Sequence, residues 1–327
     1  MSRFPLIIGH RGACGSLPEH TLESYQRAIE LGADCLETDV VLSREGHLIC
    51  RHDCELSLTT DVADRAEFRN RHTVKTIEGR TIQGWFVEDF TLEEIKTLRA
   101  RERFDFRDHS HDGQFNLITL AELLDFAAHS RTRLGHRPGV LIEIKHAAYF
   151  DSIGLPIDEP VARTLGDFSL AASDAPVWVE SFEIDILHRM RKCISTPLIQ
   201  LLDAPHLKPA DVAAAGGSLT YGQMITPRAL ANIATYATAI GAWKRLIVPA
   251  ARDGNDDANA IRLAAPTSLL CDAHAAGLAV HAWTFRSEPR FLAADYDNDP
   301  TREYQQFMNL GIDGIITDFP DAALRPH

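Results

Sequence analysis

Reactive side chains in this sequence gather at a few short runs. Glu37 and Asp39 stand two residues apart, as do Glu143 and Lys145. On a β-strand, residues i and i+2 point to the same face. If both pairs face one interior, three carboxylates and an ammonium converge there. Carboxylates so close repel one another unless a cation sits among them. An all-oxygen donor set suits a hard ion, so one divalent cation, Ca2+ or Mg2+, is expected rather than zinc. A solvated or ion-paired group of charges is the ordinary reading for any one of these carboxylates. It weakens when three occur on two strands.

Two histidines end apolar runs. His10 closes Leu6-Ile7-Ile8-Gly9 and is followed by Arg11-Gly12, and His52 closes Leu48-Ile49-Cys50-Arg51 and is followed by Asp53. A single such histidine reads as a core residue. A pair beside a carboxylate-bound metal can serve as acid and base near neutral pH. Such pairs work when their environments separate the two pKa values. Arg11 and Lys145 are then the cations available to phosphate oxygens. Glu19, in Pro18-Glu19-His20-Thr21, can orient Arg11 or His10. Phe182 and Trp283, also at the ends of apolar runs, are candidates for an apolar wall.

These residues need a scaffold that brings strand ends together. Apolar runs at 6–10, Cys35–Leu42, 140–145, Val177–Ser181, 197–202, 246–248, 278–283 and Gly314–Thr317 read as parallel strands covered on both faces. The run at 246–248 carries the weakest pattern. Helical stretches fall between them, near 159–172, 183–193, 227–238, 261–276 and 302–310. Thr21 is placed to cap a helix ending at Gly32, and Thr91 with Glu94 and Thr119 with Glu122 fit the capping box. About eight strand–helix units predict an α/β fold of the (β/α)8 TIM-barrel type, with its reactive groups at the C-terminal strand ends. Residues 1–327 then form a single barrel domain. The charged, aromatic-bearing stretch 54–113 is an inserted subdomain or lid after the second strand, since an unstructured loop of that length is rare. A smaller polar insertion occupies 203–226.

Composition narrows the function. The formal net charge of -13 argues against a nucleic-acid partner, which needs a basic surface. It also requires a metal or local Arg and Lys wherever an anionic substrate binds. Six cysteines form no CxxC pair. Cys50 and Cys54 flank His52, but zinc spacing is missing, so reduced and mostly buried thiols are expected. No run is long enough to span a bilayer or to form a signal-peptide core, so stable membrane insertion is not expected. A cytoplasmic location follows for the chain as it stands, or a periplasmic one if an export segment has been removed. Oligomeric state leaves no signature.

The ordered set His10-Arg11-Gly12, Pro18-Glu19-His20-Thr21, Glu37-Thr38-Asp39, His52-Asp53, Glu143-Ile144-Lys145, Val280-His281-Ala282-Trp283-Thr284 and Gly311 to Pro320 resembles the glycerophosphodiester phosphodiesterase family, and its bacterial branch most. The resemblance covers nearly the whole chain. It implies a β/α barrel with an insertion after strand two and metal ligation by Glu37, Asp39 and Glu143. It also implies an acid/base pair of His10 and His52, with Arg11 and Lys145 on the phosphate. The small-molecule partner would be a glycerophosphodiester, hydrolysed to sn-glycerol 3-phosphate and an alcohol such as choline or ethanolamine. The nucleophile is either water or the substrate's own 2-hydroxyl. His20 departs from the Asn that many members carry. Three rival readings compete. A phospholipase D-like enzyme acting on lysolipid or membrane head groups would need a bilayer-seeking face. A non-catalytic polyol-phosphate-binding barrel would be expected to have lost one of the five site residues. An enolase-type barrel could use Lys145 as base but leaves the histidine pair unexplained.

Overall fold

The computed structural model describes residues 4–252 and 261–324. Eight parallel strands close a barrel: β1 (Leu6–Gly9), β2 (Cys35–Leu42), β3 (Gly139–Ile144), β4 (Val177–Ser181), β5 (Leu198–Leu202), β6 (Ala239–Trp243), β7 (Ala279–Phe285) and β8 (Gly314–Thr317). Each pairs with its neighbour in sequence order, and β8 returns to β1 through Leu6–Gly314 to Gly9–Thr317. The antiparallel strand Leu48–Cys50 branches from the end of β2, with Val40 opposite Cys50.

Strand parity decides what lies inside. Ile8, Cys35, Leu141, Ile199, Leu201, Ala239 and Ile316 pack as one cluster in the barrel interior. Residues two and four further along the same strands share that face. The interior face therefore also carries His10, Glu37, Asp39, Glu143, Lys145 and Asp318, stacked above an apolar floor. The opposite parity, including Ile7, Leu36, Ile142, Val179, Ile240 and Ile315, packs against the helices in the main core.

The sixth strand differs from the sequence-based expectation. It is Ala239–Trp243, while Lys244–Ile247 forms a short helix in place of the strand expected at 246–248. The run Ala-Ile-Gly-Ala-Trp is poor in β-branched residues, which hides it from propensity. Its small residues answer a packing need, since a Cβ on Gly241 would sit 2.3 Å from the Leu201 side chain. The expected helix near 261–276 is shorter, Leu269–Ala275, and is preceded by a strand, Ile261–Leu263, paired with Ala250–Arg252. The capping boxes at Thr91 and Thr119 are both formed. Thr21 caps Leu22–Glu30, and Gly32 follows at φ +96°.

The 54–113 stretch folds into 3-10 turns, a hairpin of Thr73–Ile77 with Arg80–Gly84, and the helix Leu92–Thr97. Its Phe68, Phe86 and Phe90 are buried and belong to the main core. Arg51 ties the stretch to the barrel. It is 1% exposed and donates to the carbonyls of Cys50, Thr59 and Glu19. No helix among the described residues is long and apolar enough to cross a membrane.

His281 lies inside the barrel against Gly314, and its Nδ1 has no hydrogen-bond partner among the described residues. Burial lowers its pKa to about 4. Between that value and the unfolded value near 6.5, the unfolded chain holds more protons, so stability falls as pH falls through this window. Going from pH 6.5 to 5, this group alone is expected to remove about 1.5–2 kcal/mol. Urea unfolding across that range checks it. His281→Asn shifts stability at every pH but should give a shallower acid slope, whereas an unchanged slope would contradict the assignment.

Candidate active site

The reactive residues meet in a cleft of ≈ 1240 Å³ at the C-terminal ends of the strands. His10, Arg11, Glu37, His52, Glu143, Lys145, Phe182 and Trp283 all line it. Asp39 lies just beneath, 1% exposed.

Hydrogen-bonded register organises the acids. Asp39 on β2 is paired with Glu143 on β3, and Glu143 is paired with Glu180 on β4. Three adjacent strands thus present one row of carboxylates, with Glu37 one inward position below Asp39. Oxygens of Glu37, Glu143 and Glu180 lie within 4.8 Å of one another. Burial and the charges of Asp39 and Glu180 raise the Glu37 pKa well above its usual range. Burial lifts Glu143 to about 8 against the opposing pull of Lys145, and burial with the charges of Glu143 and Asp39 raises Glu180 strongly. Asp39 goes the other way. Burial alone would raise it, but Arg11 and Lys145 outweigh that and hold it well below the carboxylate range.

The cations are held by these acids. Arg11, at φ +54°, donates its backbone N–H to Glu37 Oε2 at 2.8 Å. Its guanidinium pairs with Asp39 at 3.0 Å and Glu19 at 3.1 Å. Lys145 Nζ lies 2.8 Å from Glu143 and 3.7 Å from Asp39, and 5.5 Å from the Phe182 ring centre. His20 is fully buried between Asp39, at 3.0 Å, and the Tyr25 hydroxyl, at 2.9 Å. Phe182 meets Trp283 edge to face, with centroids 5.4 Å apart. The Trp283 indole N–H donates to the Gly241 carbonyl.

Both candidate acid/base histidines are mounted in the same way. His10 Nδ1 lies 2.6 Å from Asp318, and His52 Nδ1 lies 2.8 Å from Asp53. An ionised carboxylate only accepts, so each Nδ1 carries a proton and each Nε2 is left for a reacting group. Each aspartate is held in turn by an arginine from the 54–113 stretch. Arg107 reaches Asp318 at 2.6 Å, and Arg103 reaches Asp53 at 2.8 Å while pairing with Glu19. Arg286 adds a second contact to Asp318 at 3.0 Å. Burial, aided by the charge of Arg11, lowers the His10 pKa despite Asp318. Burial with the charges of Arg11 and Lys145 lowers His52 to about 3. Both rings are therefore neutral at pH 7 before substrate arrives. The opposed shifts expected from sequence are not present. An anionic substrate between the rings supplies the negative charge that returns one of them toward protonation.

Arg103 and Arg107 were not singled out from sequence, and Glu180 was visible there only as an acid at the end of the fourth strand, without a role. Glu180 had a usable signal, because it shares inward parity with Phe182 two residues on. Arg103 and Arg107 had none, since only the folded insertion brings them over the mouth.

A parallel β/α barrel with two carboxylate-backed histidines beside a buried acidic cluster at its C-terminal mouth has the equipment of a hydrolase acting on a phosphorylated substrate. The chain belongs to the glycerophosphoryl diester phosphodiesterase family, whose pattern it matches over residues 10–322. It is 35% identical to the glycerophosphodiester phosphodiesterase GDPD6 of Arabidopsis thaliana, over 96% of this chain and 84% of that protein. It is 27% identical to a glycerophosphodiester phosphodiesterase of Haemophilus influenzae, over 98% of this chain and 89% of that one. The fold is shared with a glycerophosphodiester phosphodiesterase of Agrobacterium tumefaciens (TM-score 0.59, 19% identity, 98% of each chain). It is shared too with an Oleispira antarctica phosphodiesterase solved with sn-glycerol-3-phosphate (TM-score 0.62, 19% identity, 98% of this chain and 95% of that one).

Nitrogen-15 NMR of the histidine rings tests the mounting. At pH 7, His10 and His52 are expected as neutral Nδ1–H tautomers, the minority form in water. Asp318→Ala should return His10 to the Nε2–H form and leave His52 unchanged. An Nε2–H tautomer at His10 in the parent protein would contradict the geometry.

Proposed function

We propose that this protein hydrolyses glycerophosphodiesters to sn-glycerol 3-phosphate and an alcohol, using His10 and His52 as the acid/base pair. The observation that carries the reading is the matched pair of Asp-backed histidines opening on one cleft beside Arg11, Lys145 and the carboxylate row. The family and its curated relatives support the substrate class.

The carboxylates fit a hard divalent cation. They are buried, they outnumber the cations among them, and they offer only oxygen donors. Glu37, Asp39 and Glu143 are the residues that would hold it. Such an ion, Ca2+ or Mg2+, would supply Lewis-acid polarisation of a phosphate oxygen and a template for the glycerol moiety.

The chain's own residues do the rest. Arg11 and Lys145 bind the non-bridging phosphate oxygens, and their ion pairs with Asp39, Glu19 and Glu143 keep them at one position. One imidazole takes the nucleophile's proton at Nε2 while the other, protonated in the substrate complex, delivers a proton to the departing alcohol oxygen. The nucleophile is water or the neighbouring 2-hydroxyl, and the same pair serves both routes, exchanging roles to open a cyclic phosphate. Phe182 and Trp283 form the apolar side of the cleft. The 54–113 stretch acts as an insertion within one barrel domain, closing one wall with Arg103 and Phe104.

The test is release of sn-glycerol 3-phosphate from glycerophosphocholine. His10→Ala and His52→Ala are each expected to lower kcat by about 10²–10⁴-fold with circular dichroism unchanged. Near-parental turnover in either variant would sink the acid/base assignment.

A further inference from the structure

Glu180 is 1% exposed, lines the cleft, and has an oxygen, Oε2, with no hydrogen-bond partner among the described residues. A buried carboxylate oxygen left bare is costly unless something binds it. Its neighbours are no relief. The register sets it beside Glu143, and it lies within ligand distance of Glu37 and Glu143. Asp39 is partly engaged: its Oδ2 is shared by Arg11 and His20, each at 3.0 Å, while its Oδ1, 3.7 Å from Lys145, likewise has no hydrogen-bond partner among the described residues.

We propose that Glu180 is a further direct ligand of the divalent cation, joining Glu37, Asp39 and Glu143 around it. This rests on the reading of the cleft as a cation site. Charge balance supports it. Glu37, Asp39, Glu143 and Glu180 outnumber Arg11 and Lys145, the cations that face them, and Arg11 is shared with Glu19. A second buried cluster in the barrel mouth, His10, Cys14 and Asp318, shows the contrast. There Arg107 and Arg286 already pair with Asp318, so no negative charge is left for a cation.

Glu180→Gln keeps the shape and removes the charge. Calorimetric titration of the EDTA-stripped full chain with Ca2+ alone, and with Mg2+ alone, is expected to show one site. Its affinity should weaken on the order of tenfold or more in the variant. Thermal melting supplies a readout that a merely structural role would not give. In EDTA the variant should melt higher than the parent, because the amide is free of the burial and repulsion penalty that the carboxyl meets beside Glu37 and Glu143. With saturating Ca2+ it should gain less than the parent does. Unchanged ion affinity overturns the proposal, including the case in which only KM for the glycerophosphodiester rises, which would make Glu180 a substrate contact. A drop in melting temperature of equal size with and without Ca2+ also overturns it. If the parent itself binds neither ion, the cation reading of the cleft falls first and this inference with it.

Discussion

Concentrated negative charge inside the mouth of a closed barrel is the constraint around which this structure is organised. Parallel register puts Asp39, Glu143 and Glu180 in one row across three neighbouring strands, and strand parity puts Glu37 directly below. The floor beneath them is apolar, built from Ile8, Cys35, Leu141 and Ile316. Carboxylates above such a floor have lost most of their water, so their mutual repulsion is felt strongly. Arg11 and Lys145 offset part of it, and the remainder is what a divalent ion would neutralise. The same feature explains how a chain of net charge -13 can receive an anionic phosphodiester, since the acids are turned inward and the site presents cations to the ligand.

The second organising feature is a relay of ion pairs from the insertion to the histidines. Arg103 holds Asp53, which holds His52, and Arg107 holds Asp318, which holds His10. The two histidines follow different strands: His10 follows β1 and His52 follows the strand that branches from β2. Their aspartates are 265 residues apart in sequence. Two arginines four residues apart bring these halves under common control, so the 54–113 stretch contributes to the geometry of the site as well as to its wall. Phe104, between them, stacks with Phe106 and lies beneath the guanidiniums of Arg107 and Arg286.

Much of this was legible in the sequence where local rules dominate. Alternation in Cys35–Leu42 and in Glu143-Ile144-Lys145 identified the inward faces, and the Thr91 and Thr119 capping boxes marked two helix starts. The ordered motifs pointed to the family to which the chain belongs. Legibility failed where tertiary packing overrides propensity. Ala239–Trp243 is a strand because the barrel wall at Gly241 needs small residues, not because its residues favour extension. Separated histidine pKa values were expected, yet His10 is buried and His52 half-buried beside Arg11 and both shift down, which no spacing rule reveals. Glu180 was visible as a strand-end acid but not as the partner of Glu37 and Glu143. That relation depends on which strands are neighbours and on their register.

The most direct measurement is metal dependence of turnover. Release of sn-glycerol 3-phosphate from glycerophosphocholine would be followed before EDTA treatment, after it, and again with Ca2+ or Mg2+ restored. If unmatched carboxylate charge governs the site, turnover disappears on stripping and returns with at least one of the two ions. Full turnover in EDTA by protein shown by elemental analysis to be free of metal would contradict the account at its centre.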